Sequence, residues 1–136
     1  MALICSDNFK FEFTIKHCDL EEEKRGNPYN SIVLIKVESN GFCGETETEI
    51  SAKNLRIFLA TLTDMYSKLK GGVSLENLDY GSNLKITCDK LGKIHFEGII
   101  INYTFQQLQF NNLIDQTYLH TFVKNVLYEF NTATKQ

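Results

Sequence analysis

The sequence predicts an α+β fold, a single domain over residues 1–136, built on a largely antiparallel sheet of about six to seven strands with two amphipathic helices on one face. Several segments read as strands, and most of the connections between them are short turns that suit antiparallel neighbours. Two other segments carry the wide apolar stripe of a helix. The chain has no strand–helix–strand rhythm and no glycine-rich strand-to-helix turn, which disfavours the doubly wound nucleotide-binding folds. A length of 136 residues is close to the commonest domain size and does not divide comfortably into two cores.

The elements follow in order. Phe9, Phe11, Phe13, Ile15 and His17 alternate with Lys10, Glu12, Thr14, Lys16 and Cys18, which predicts a strand with one face buried and His17 on that face. Asp19 to Asn30 contains Glu21-Glu22-Glu23-Lys24-Arg25, Gly26 and the only proline, Pro28, and reads as the longest irregular connection. Ser31 to Glu38 resumes a strand with the β-branched residues Ile32, Val33, Ile35 and Val37, ending at Ser39-Asn40-Gly41. Asn-Gly signals a two-residue hairpin, because both central residues of a type I′ turn need positive φ. That turn sets Ser39 opposite Phe42, Val37 opposite Gly44, Ile35 opposite Thr46 and Val33 opposite Thr48, with Lys36 facing Glu45 on the other side.

Ser51 is placed to cap a helix whose stripe comprises Leu55, Phe58, Leu59, Leu62, Tyr66 and Leu69. Lys68 and Lys70 suit its negative end, and Gly71-Gly72 supplies a left-handed exit. Val73 to Leu78, Asn83 to Lys90 and Lys93 to Tyr103 read as strands, with turns at Tyr80-Gly81-Ser82 and Leu91-Gly92, and Gln106 to Asn111 as a shorter strand. A second helix, from Asp115 to about Asn131, buries Leu119, Phe122, Val123, Val126, Leu127 and Phe130, with Asp115 accepting from the amide of Thr117 or Tyr118. Thr132 to Gln136 is expected to fray, and no internal repeat is visible.

Apolar residues make up 43% and charged residues 23%, a balance that argues against disorder. No apolar run is long enough for a membrane span, and Met1 to Asp7 reaches a charge before a signal sequence could form, so a cytoplasmic location is expected. Cys5, Cys18, Cys43 and Cys88 show neither a C-x-x-C pair nor a histidine at finger spacing; they are expected to be reduced and mostly packed in the core. The net charge of −3, without a Lys/Arg run, argues against nucleic acid.

No motif for chemistry emerges. His17, His95 and His120 have no chelating spacing, and adjacent His17 and Cys18 point to opposite strand faces. The chain lacks a G-x-S-x-G elbow, an H-E-x-x-H helix and a phosphate-cradling loop. No catalytic residue, metal or cofactor is predicted. Glu45, Glu47 and Glu49 alternate along one strand and form a carboxylate stripe, which is either a solvated sheet face or a docking surface for a cationic protein.

The later two thirds of the chain resembles the small bacterial immunity proteins of the WapI type. The likeness is carried by Gly41-Phe42, Ser51-Ala52-Lys53-Asn54-Leu55-Arg56-Ile57-Phe58, Leu69-Lys70-Gly71-Gly72-Val73-Ser74-Leu75, Gly92-Lys93-Ile94-His95-Phe96-Glu97-Gly98 and Asp115-Gln116-Thr117-Tyr118-Leu119 with Phe122. The resemblance implies a non-enzymatic cytosolic protein that binds and occludes a cognate toxin, with acidic surface as the contact. Glu45, Glu47, Glu49, Glu21, Glu22 and Glu23 are the candidate contact residues. Two other readings stay open: a stand-alone interaction or regulatory domain, and an enzyme with a cryptic site around His95 or Cys88.

Overall fold

A computed structural model describes residues 1–28 and 30–134 of the chain. The elements are β1 (Ala2–Cys5), β2 (Phe9–Cys18), α1 (Leu20–Lys24), β3 (Ser31–Ser39), β4 (Phe42–Ile50), α2 (Ala52–Lys68), β5 (Gly71–Leu75), β6 (Asn83–Cys88), β7 (Lys93–Ile101), β8 (Gln107–Asp115) and α3 (Thr117–Thr134), with a 3-10 turn at Asp79–Gly81. Antiparallel strands with helices packed against them give the predicted α+β class. Among the described residues the strands number eight and divide into two four-stranded sheets, β1-β2-β3-β4 and β5-β6-β7-β8. The division falls at α2, which breaks the ladder after β4.

Each half of the chain is therefore a four-strand meander followed by a long helix, a repeat of topology with no trace in the residues. The helices are exchanged between halves: α3 packs on β1 and β2, while α2 packs along β5 and against α3. The exchange follows from where the apolar stripes must go. Phe11 of β2 lies 4.7 Å from Phe96 of β7 and 5.8 Å from Phe122 of α3, ring centroid to centroid. Phe9 reaches Phe110 of β8 at 6.0 Å. The alternating phenylalanines of β2 thus face the second sheet and α3 across one core. Hydrogen bonds from Ser39 Oγ to Asn112 Oδ1 (2.7 Å) and from Thr46 Oγ1 to the Ile101 carbonyl (2.7 Å) also tie the sheets together.

The Asn-Gly hairpin has the predicted register throughout, from Ser39 opposite Phe42 to Val33 opposite Thr48, with Lys36 opposite Glu45. Asn40 and Gly41 have φ of 50° and 89°, as the type I′ turn demands. Ser51 caps α2 through the Asn54 amide at 3.1 Å, and Asp115 accepts from the Thr117 amide at 3.0 Å.

Several local expectations are corrected. The register slips between Ile15 and His17, so Lys16 is an extra residue and the inside–outside alternation inverts. His17 is consequently exposed, not buried, and Cys18 turns inward to meet the Ser31 hydroxyl at 3.1 Å. Cys5 and Cys43 are exposed, so the cysteines are not mostly in the core, and all four are free thiols. The Asp19–Asn30 connection contains a helical turn, α1, because Asp19 Oδ1 accepts from the amides of Glu21 and Glu22 at 2.9 and 3.1 Å.

In α2, Met65 joins the buried stripe, whereas Leu69 leaves it by adopting the left-handed cap itself at φ 51°. Gly71-Gly72 instead opens β5, and that strand ends at Leu75 ahead of Asn77, whose φ is 59°. β1 has no counterpart in the predicted elements, and β8 continues to Asp115. α3 runs past Asn131 to Thr134 without fraying; Lys135 and Gln136, also expected to fray, lie outside the described residues.

Candidate functional site

The outer face of the first sheet is open and charged. Pairing sets Cys5, Lys10, Glu38 and Cys43 in one row across the four strands, and Leu3, Glu12, Lys36 and Glu45 in the next. Glu47 and Glu49 follow along β4 on the same face, opposite Leu34 and Ile32. Thr46 and Thr48 between them turn inward and are buried, so the carboxylate stripe is real and solvated. Lys36 pairs with Glu45 at 3.6 Å and Lys16 with Glu47, while the Glu49 carboxylate has no ion-pair partner among the described residues. Exposed pairs of this kind add little stability and exchange partners readily.

Glu21, Glu22 and Glu23 lie on α1 beside α2, not on the sheet face that carries Glu45. Each already has a cation: Lys24 at 3.4 Å, Arg25 at 2.7 Å and Arg56 at 3.6 Å, respectively. The Asn27 amide, and then Arg25, hold the Glu22 carboxyl below its ordinary range. The structure does not bring the two predicted acidic sets into one surface.

It places something else beside the stripe. Tyr80, Tyr103 and Phe105 are 44%, 76% and 73% exposed, on the 3-10 turn and the β7–β8 connection. Tyr80 and Phe105 have φ of 63°, a left-handed conformation that costs a bulky side chain about 1–2 kcal/mol. The two rings meet edge to face at 6.1 Å. Their turns are fastened from behind. Asp79 Oδ2 accepts from the Glu49 amide at 2.9 Å, and the Asp79 amide donates to Thr48 Oγ1 at 2.8 Å. Asn102 Oδ1 accepts from the amides of Thr104 and Gln106 at 3.0 and 3.1 Å. These anchors hold two aromatics in an unfavourable backbone conformation and in water.

A recess of about 570 Å³ joins the two features, with Glu45 and Glu47 on one wall and Tyr80 and Tyr103 on the other. Aromatic anchors flanked by charge are the composition of an interface centre and its rim. Sequence reasoning missed all three aromatics. The available signal was an aromatic residue within turn segments, Tyr80-Gly81 and Tyr103-Thr104-Phe105, where burial by alternation has no meaning.

The histidines are distributed singly. His95 Nε2 lies 3.0 Å from Asp89 Oδ2, and His120 Nδ1 lies 2.7 Å from the Tyr66 hydroxyl. Burial pushes the Cys88 thiol up, and its sulfur donates to the Leu69 carbonyl at 3.1 Å. Neither His95 nor Cys88 lines any of the main clefts. Among the described residues, no three His, Cys, Asp or Glu side chains converge as metal ligands, and no helix is long and apolar enough to cross a membrane.

Asp89 and Asp115 work as structural acceptors. His95, followed by the Lys93 amide, lowers the Asp89 pKa from 3.8, and the Thr117 amide, followed by Lys93, lowers that of Asp115. A carboxyl depressed by folding contributes stability above its unfolded pKa and loses it as pH falls through the folded value. Resistance to urea unfolding should therefore weaken below about pH 4, and Asp89→Asn should flatten that acid limb. An unchanged slope in Asp89→Asn would remove Asp89 from this account.

No protein-family model, no curated protein and no solved structure matches this chain.

Proposed function

We propose that the protein binds a cationic domain of another protein and occludes it in the cytoplasm, as an immunity-type inhibitor of a toxin without chemistry of its own. The observation that carries this reading is the recess between Glu45–Glu47 and Tyr80–Tyr103, with Phe105 beside it. Rings presented on fixed turns lose little entropy on binding, and the carboxylate stripe orients a basic partner during encounter. The Lys16 and Lys36 pairs do not prevent this, since a partner's guanidinium can displace an exposed lysine. The resemblance to WapI-type proteins makes a neighbouring toxin the expected partner.

The test is calorimetric binding of the purified chain to the toxin domain encoded beside it, with co-expression rescuing growth. Tyr103→Ala should weaken binding by about 2 kcal/mol or more, the scale of a central aromatic anchor. Phe105→Gly should also weaken it, while leaving stability unchanged or raised, because glycine relieves the φ of 63°. Retained affinity in both variants, or no binding by the neighbouring toxin, would overturn the proposal. Capture of an unrelated basic protein through the same residues would replace the toxin with a regulatory partner.

A further inference from the structure

A cleft of about 800 Å³ lies between α2 and β5 and has no part in the recess described above. Gly72, Val73, Ser74 and Leu75 all line it. Successive strand residues point to opposite faces, so a cleft touched by four in a row includes the strand's edge, while Lys85 and Thr87, paired with Ser74 and Gly72, extend it over the adjoining sheet face. β5 pairs only with β6, leaving every second residue's N–H and C=O directed outward. Among the described residues, the backbone of Gly72 to Asn77 makes no hydrogen bond beyond that ladder.

Every sheet edge, β5 included, has a packing neighbour: α2 lies along β5. α3 packs on β1, β4 approaches β8, and β4 is itself bound by Asp79 through the Glu49 amide. An open edge strand is an aggregation hazard that proteins usually cover, so one whose outward backbone groups border a cleft invites a partner strand. Ile57 of α2, 54% exposed, supplies an apolar wall opposite. Among the described residues that line the cleft, Glu49, Glu76 and Asp79 stand against Lys85. An acidic cleft that includes a strand edge selects an extended chain carrying positive side chains.

We infer that β5 accepts an extended, lysine- or arginine-bearing peptide segment as an added antiparallel or parallel strand in the cleft against α2. The inference deepens the reading of the chain as a binder of a basic protein, because it names the element such a partner would contribute. Its backbone contacts are separate from the Tyr103 and Phe105 contact.

The probe is an end-blocked octapeptide alternating lysine and valine, titrated into the full chain labelled with ¹⁵N. Amide signals of Gly72 to Leu75 and of the Asn54 to Thr61 flank of α2 should shift saturably, and outward β5 amides should exchange at least about tenfold more slowly at saturation. The glutamate–valine analogue, and a lysine–valine peptide N-methylated at every residue so that neither edge can donate, should not bind. The double variant Glu49→Lys/Glu76→Lys should bind about fivefold to tenfold more weakly. No shift, shifts centred on another edge, or equal binding by the fully N-methylated peptide would overturn the inference. Phe105→Gly should leave peptide binding unchanged, so failure of this contact and failure of the toxin contact are read independently.

Discussion

Phe11→Ala is expected to cost about 3–5 kcal/mol, much of the roughly 5–15 kcal/mol that holds a domain of this size together. Phe11 is fully buried and touches the rings of Phe9, Phe96 and Phe122 at 6.2, 4.7 and 5.8 Å. Those rings come from the first sheet, the second sheet and α3, so no single element can move in to fill the space. The cost therefore combines the lost transfer energy with an unrelaxed cavity. Urea denaturation measures it, with Leu91→Ala at an 87% exposed position as a control expected to stay within about 0.5 kcal/mol. The same variant tests whether the two meanders unfold as one. If they do, exchange protection at Val33 in β3 and Ile86 in β6 falls together; protection that survives in β6 would show two separate units.

Local rules were enough wherever a turn or a stripe fixed its own geometry. Asn40-Gly41 sets the β3–β4 register because the turn leaves only one pairing, and that register in turn places Glu45, Glu47 and Glu49 together on an outer face. The α2 stripe was legible down to the half-buried Tyr66 and failed at Leu69, where a left-handed leucine caps the helix two residues before Gly71 takes its own positive φ of 87°. His17 was misplaced because a bulge inserts one residue and flips every later side chain, an event that leaves the alternation of residue types intact. Ala2–Cys5 is four residues long, too short for a period to register.

The division into two sheets was hidden for a different reason. Which strands pair across α2 depends on non-local packing, and the pattern of each strand is the same either way. The aromatic surface was out of reach for a related cause. Tyr80 faces water because Asp79 is held by β4, a contact that no local preference specifies, and Phe105 because Asn102 closes its own loop as an Asx turn, a local preference of asparagine. Both residues break a local rule, and such breaks concentrate where a protein works.

Gly98→Ala is expected to cost about 3 kcal/mol or more, at the upper end of overpacking effects. A methyl group at Gly98 would collide with the Asn83 carbonyl oxygen and lie 3.1 Å from Leu84 Cα and 3.2 Å from Phe110 Cζ. Two of those atoms are backbone of β6, the paired strand, so relief requires the ladder itself to open. Trimming Phe110 would remove only one of the three contacts; the double variant Gly98→Ala/Phe110→Ala should remain less stable than Phe110→Ala alone. Gly44→Ala is the contrasting case, since its methyl would meet Ile100 Cδ1 and Leu108 Cβ at 3.4 and 3.5 Å, ordinary contact distances. It should be neutral to within about 0.5 kcal/mol by the same denaturation measurement. Gly98 lies on β7, which leads into Asn102 and the turn carrying Phe105, so Gly98→Ala should weaken partner binding only as far as it unfolds the protein. Phe105→Gly should instead lose binding with the fold intact. That contrast separates a glycine required by strand packing from an aromatic required by the partner, and equal behaviour of the two variants would contradict both assignments.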